Sequence, residues 1–115
     1  MDKTQQTALK AAYRQQPPAL GIVALQHLPS GRMLLEASRN APGVLNRHRF
    51  ELKLGTHRNR ALLADWRRDG EAAFRCEIID TVKVPDDPAF DADAELASLL
   101  ALHREQLQEQ GQLFY

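Results

Sequence analysis

Residues 20–37 read Leu20-Gly21-Ile22-Val23-Ala24-Leu25-Gln26-His27-Leu28, then Pro29-Ser30-Gly31, then Arg32-Met33-Leu34-Leu35-Glu36-Ala37. Two runs rich in branched apolar residues flank a Pro-Ser-Gly turn, which predicts a β-hairpin over 20–38. Upstream, Thr4 stands where a helix N-cap belongs, with Leu9, Ala12 and Tyr13 following it. Pro17-Pro18 ends that segment, because proline disfavours helical backbone in the residue before it, so a helix is expected over 4–16.

Downstream, Asn40-Ala41-Pro42-Gly43 interrupts the pattern. Val44, Leu45, Phe50, Leu52 and Leu54 then recur among charges up to Gly55, and a helix is expected over 44–54. Thr56 is positioned to cap the next helix, expected over 56–69, in which Leu62, Leu63 and Trp66 share a face before Asp69-Gly70; glycine accepts the left-handed conformation that ends helices. Phe74, Cys76, Ile78, Ile79 and Val82 predict a strand over 73–83. After the acidic, proline-punctuated Pro85-Asp86-Asp87-Pro88, the residues Leu96, Leu99, Leu100, His103 and Leu107 fall on one face of a 3.6-residue period, a helix over 91–110.

The chain has 115 residues, 43% apolar and 26% charged, which suits one compact α/β domain over 1–115. It has no run of about 18 apolar residues that would span a bilayer, and Met1-Asp2-Lys3-Thr4-Gln5-Gln6 lacks the apolar core of a secretory signal. A cytoplasmic protein is therefore expected, without a membrane partner. Cys76 is the only cysteine, which excludes an internal disulfide and a Cys-based zinc site.

Net charge is zero, but the charges are segregated. Arg39, Arg47, Arg49, Lys53, Arg58, Arg60, Arg67 and Arg68 crowd residues 39–68 against only Glu51 and Asp65. Residues 69–115 are acidic, with Arg75, Lys83 and Arg104 as their only Lys or Arg. Guanidinium groups neutralise phosphates and release counterions, so Arg39, Arg47, Arg49, Arg58 and Arg60 are candidate nucleic-acid contacts. The alternative is a solvated surface whose arginines pair with the acidic half.

The order helix, hairpin, two helices, strand, helix resembles the GIY-YIG nuclease superfamily. Gly21-Ile22-Val23 stands at its Gly-Ile-Tyr and Leu34-Leu35-Glu36 at its Tyr-Ile-Gly. The fuller match is Asn46-Arg47-His48-Arg49-Phe50-Glu51-Leu52 with Gly55-Thr56-His57-Arg58-Asn59-Arg60-Ala61-Leu62, then Asp65-Trp66, Gly70-Glu71 and Phe74. The resemblance implies an α+β fold with a small three-stranded antiparallel sheet flanked by helices. It also implies hydrolysis of phosphodiesters in DNA, rather than RNA, with one divalent metal, magnesium or manganese, in active members.

Carried over residue by residue, the resemblance gives Arg47 the phosphate-steadying arginine, a role that its planar fork suits. The tyrosines are replaced by Val23 and Leu34, and the metal-binding glutamate by Leu100, so the site is degenerate and no metal ligand is assigned. As residue types, His48 and His57 suit a proton-transfer or metal pair, and metal-dependent cleavage would use Arg47 with His48 or His57 and a carboxylate such as Glu36 or Glu51; the plainer expectation places His48 in a solvated basic helix and His57 at the start of the next helix as a surface or packing residue. Trp66, Phe50 and Phe74 are expected in the core, and His27 and His103 as hydrogen-bonded core histidines. Three functions follow for comparison: nucleic-acid binding with an eroded phosphodiesterase site, active metal-dependent cleavage by substituted residues, and a protein interaction module or homo-oligomer.

Overall fold

The structure, a computed structural model, describes residues 19–115; the helix expected over 4–16 lies outside the described residues. In chain order it contains β1 (Leu20–His27), β2 (Met33–Ser38), α1 (Ala41–Leu54), α2 (Arg60–Asp69), a 3-10 turn (Glu71–Ala73), β3 (Phe74–Val82) and α3 (Ala92–Glu109). The three strands form one antiparallel sheet in the order β2-β1-β3, so β1 is central. This is the expected α+β architecture, a three-stranded antiparallel sheet flanked by helices.

The composition of β1 follows from that position, since a strand covered on both faces reads as a continuous apolar run. Successive side chains alternate sides. Val23 and Leu25 join Ala41, Val44, Leu45 and Leu52 of α1 and Leu62, Leu63 and Trp66 of α2 in one core layer. Ile22 and Ala24 join Met33 and Leu35 of β2 in a second layer, against which Leu99, Leu100 and Leu107 of α3 and Phe114 pack. Helices α1 and α2 thus cover one face, and α3 the other. Residues Leu113–Tyr115 then run beside β2: Met33 N–H donates to the Leu113 carbonyl (2.9 Å) and Tyr115 N–H to the Met33 carbonyl (3.0 Å), with a parallel bridge between Met33 and Phe114.

Several boundaries differ from the expectation. The segment Asn40-Ala41-Pro42-Gly43 starts α1 instead of separating it from β2: the Asn40 side chain accepts from Gly43 N–H (3.1 Å), and proline in the first turn gives up an N–H that has no intrahelical acceptor. The second helix begins at Arg60 rather than 56. Thr56 does not cap it: the chain at Thr56 is still closing α1 past Gly55 (φ 80°), its N–H donating to the Glu51 carbonyl (2.9 Å), and three residues on, the Asn59 side chain caps the helix by accepting from Leu62 N–H. Phe50 is 62% exposed rather than in the core. Leu45, His48 and Leu52 define the inward side of α1, and Phe50 lies roughly 200° around the helix from His48. Trp66 is buried, and Phe74 packs against it with ring centroids 5.1 Å apart.

Pairing of β1 with β3 shifts between Ile22 and Val23, leaving Ile79 as the extra residue of a bulge. Just before it, a β-carbon on Gly21 would collide with the Asp80 backbone carbonyl. Backbone cannot yield as a flexible side chain does, which is a physical reason for glycine at that position. Gly21→Ala is expected to destabilise the fold by roughly 1–3 kcal/mol. Urea unfolding measures this, and an unchanged midpoint would refute the close approach.

Candidate functional site

Leu34 and Glu36 are two residues apart on β2 and share the face covered by α1. Helix α1 brings His48 to its buried side and Arg47 and Glu51 to the rim one turn apart. The Thr56–Asn59 linker then folds His57 back against α1. Together Leu34, Glu36, Arg47, His48, Glu51, His57, Arg58 and Asn59 line a cavity of about 210 Å³. Arg47 and the candidate histidines His48 and His57 therefore meet in one cleft, with Glu36 and Glu51 beside them.

The two histidines are 5% and 4% exposed, so His48 is not the solvated residue of the plainer expectation, and His57 is packed rather than on the surface. Their hydrogen bonds form a directed chain. Asn59 N–H donates to His57 Nδ1 (3.0 Å), so that nitrogen offers a lone pair and the neutral ring carries its proton on Nε2. His57 Nε2–H then donates to His48 Nδ1 (2.7 Å). His48 must in turn carry its proton on Nε2. The Asn59 backbone amide thus dictates, through two imidazoles, that an N–H faces the cavity.

That N–H is the one buried side-chain polar atom without a hydrogen-bond partner among the described residues. Glu36 Oε2 lies 3.4 Å away but outside hydrogen-bond geometry. A buried donor left unmade costs about 1–3 kcal/mol, so an acceptor entering the cleft is favoured. Burial, and then the His48 ring, lower the pKa of His57, with Arg58 and Arg47 acting in the same direction against Glu51. His57 is therefore suited to donate its hydrogen bond as a neutral ring.

Arg47 reaches two carboxylates, with Nη2 at 3.3 Å from Glu36 Oε2 and Nε at 3.3 Å from Glu51 Oε1. Its side chain stays 56% exposed, which keeps these pairs weak and exchangeable. Arg58 is exposed at the same cleft and forms no ion pair among the described residues. The other candidate contacts are not gathered there. Arg39 pairs with Asp93 at the start of α3 (2.8 Å), Arg49 donates to the Cys76 carbonyl of β3 (3.2 Å), and Arg60 is exposed at the first turn of α2 outside the cavity lining. Cys76 is half-buried, and burial raises its thiol pKa, consistent with an inert packing residue.

Asn59 is the site residue that the sequence reading passes over. Its position just before the apolar run Ala61-Leu62-Leu63 is a helix-cap signal, but only the folded chain shows its amide setting the histidine tautomers. The positions carried over from the resemblance are apolar and packed. Val23 is fully buried, Leu34 is packed beneath the cleft, and Leu100 belongs to the core layer across the sheet. Glu95 and Glu105 on α3 are exposed. Among the described residues no three His, Cys, Asp or Glu side chains are arranged to hold a metal ion. Leu100, packed in the core layer, offers no donor to the divalent metal that the resemblance implies.

The remaining histidines have structural partners. His103 Nε2 meets Asp80 Oδ2 at 2.7 Å, tying α3 to β3. His27 is 1% exposed, with Nδ1 at 2.7 Å from Ser30 Oγ and Nε2 at 2.7 Å from Asp69 Oδ2. Both are the hydrogen-bonded histidines expected at those positions.

Two solved structures share this fold. One is a point variant of the catalytic domain of intron endonuclease I-TevI, with a TM-score of 0.63 and 13% identity over 84% of this chain and 92% of that one. The other is the catalytic domain of homing endonuclease I-TevI, with a TM-score of 0.60 and 15% identity over 82% and 94%. No family model and no curated protein sequence matches the chain. The chain has the fold of the GIY-YIG catalytic domain.

A lowered folded-state pKa at His57 means that the unfolded chain binds the proton first as pH falls. This contribution to stability is complete above the unfolded imidazole value of about 6.5 and is lost as pH drops from there through the lower folded value. His57→Gln should therefore lose less stability than the parent between neutral and mildly acidic pH. Urea midpoints measured across that range test it, and identical pH dependence in the two proteins would contradict the assignment.

Proposed function

We propose that this GIY-YIG-fold chain binds nucleic acid through the cleft of Arg47, His48, His57 and Arg58, with phosphodiester cleavage reduced or lost. The observation that carries this reading is the unmet His48 Nε2–H aimed into a cavity flanked by two arginines. A phosphate oxygen is the acceptor that suits all three groups. It accepts from the imidazole N–H, takes a forked contact from Arg47 in exchange for its exposed carboxylate pairs, and meets the free charge of Arg58. The first turn of α2 begins beside Asn59 and adds the positive end of a helix dipole. Arg60 and Arg49 extend the basic surface, while Arg39 is committed to Asp93.

Replacement of the tyrosines by buried Val23 and partly buried Leu34 supports loss of water activation, and apolar Leu100 at the glutamate position points the same way. DNA is the expected ligand by the resemblance. Binding to duplex and single-stranded DNA at two salt concentrations tests the reading, with magnesium- or manganese-dependent plasmid cleavage measured alongside. Arg58→Ala and Arg47→Ala should each weaken binding and reduce the salt slope by about one. His48→Phe should cost about 1.5–3 kcal/mol of binding. Binding unchanged in all three variants sinks the proposal. Cleavage abolished by Arg47→Ala would instead establish that the substituted residues remain catalytic.

A further inference from the structure

We infer that Ser30, activated by His27 and positioned through Asp69, is a serine nucleophile for small uncharged esters, in a second cavity separate from the arginine cleft. The three side chains form a continuous hydrogen-bonded series across residues far apart in the chain. His27 Nε2 faces Asp69 Oδ2 at 2.7 Å, which assigns the imidazole proton to Nε2. His27 Nδ1 then offers its lone pair to the Ser30 hydroxyl at 2.7 Å. Ser30 Oγ also accepts from Arg32 N–H (3.2 Å), a second bond consistent with the hydroxyl proton pointing at histidine.

The surroundings match the parts that acyl transfer requires. Arg68, and then His27, hold the Asp69 carboxyl below the ordinary range, so it remains an anion beside the imidazole. Asp65 Oδ2 lies 3.6 Å from His27 Nδ1 and is engaged by the Tyr115 hydroxyl (2.5 Å). His27 is buried whereas Ser30 is exposed on its turn, so the base is shielded and the nucleophile is reachable. Ser30 opens on a cavity of about 240 Å³ whose lining, including Gln26, Gly31, Gln112 and Leu113, is entirely uncharged. That volume is below the roughly 300 Å³ of the smallest drug-sized pockets, which selects a small neutral acyl compound. Gln26 Nε2 spends one N–H on the Gly31 carbonyl (3.4 Å), and the amide's second N–H is available for a developing oxyanion.

In the reaction, Ser30 Oγ adds to the ester carbonyl carbon as its proton passes to His27 Nδ1. Collapse of the tetrahedral adduct breaks the bond to the alcohol oxygen, which takes that proton from His27. Water then adds to the acyl-serine by the same route and releases the carboxylic acid.

The test uses the purified full chain with 4-nitrophenyl acetate and, separately, a fluorophosphonate probe. The expected result is a phosphonyl adduct on Ser30 and nitrophenolate release at least roughly tenfold above Ser30→Ala. Asp69→Asn should slow both labelling and turnover, a readout that a purely structural hydrogen bond would not move. Ser30→Ala removes the hydroxyl's bonds to His27 and Arg32 N–H, both outside the arginine cleft, and should retain DNA binding, which separates this test from the arginine-cleft reading. If Asp69→Asn fails to fold, the Ser30→Ala comparison decides alone. Absence of an adduct on Ser30, or equal ester hydrolysis by Ser30→Ala, overturns the inference.

Discussion

Strand β1 is apolar on both sides, and burying both at once is the constraint on which the rest of this fold depends. A strand of that kind must lie in the middle of its sheet with a layer on each face. Strands β2 and β3 satisfy its backbone, α1 and α2 cover Val23 and Leu25, and α3 covers Ile22 and Ala24. The arginine cleft inherits its composition from this division. It forms at the rim of the α1 side, so its carboxylates come from β2 and α1, while α3 is occupied across the sheet.

Much of this was legible in the sequence, because periodicity and turn chemistry act locally. The hairpin at Pro29-Ser30-Gly31, the α3 stripe and the alternating β3 all follow from nearest neighbours. Helix starts were the weakest point. Asn40-Ala41-Pro42-Gly43 reads equally as a break or as a capped first turn, and the choice depends on Ala41 being fully buried against Val23 and Leu25. Likewise Thr56 has the chemistry of a cap, but the chain there is still closing the preceding helix, and the next begins only after Asn59. The cleft was legible in part. Arg47, His48 and His57 line one cleft, whereas the separation of Arg39 and Arg49 depends on tertiary partners, Asp93 and the Cys76 carbonyl, that local pattern does not reveal.

The apolar residues at the motif positions have a physical logic of their own. Val23 is fully buried in the layer that α1 and α2 close. A tyrosine there would have to bring a hydroxyl into that layer with a partner for it, since a buried hydroxyl without one is costly. Val23 and Leu34 remove this requirement and leave the cleft floor apolar, so its polar chemistry is concentrated in the histidine chain and the rim. The orientation of that chain originates in the backbone amide of Asn59, so no side-chain substitution at that position except proline removes the donor.

The pairing of residues 113–115 with Met33 sets the order in which this protein can be assembled. Strand β2 and α1 are synthesised long before the segment that closes the outer edge of β2, and the contact spans some eighty residues of chain. Until residues 113–115 are in place, Met33 presents an open N–H and C=O at the outer edge of β2, the arrangement that templates mispairing between chains.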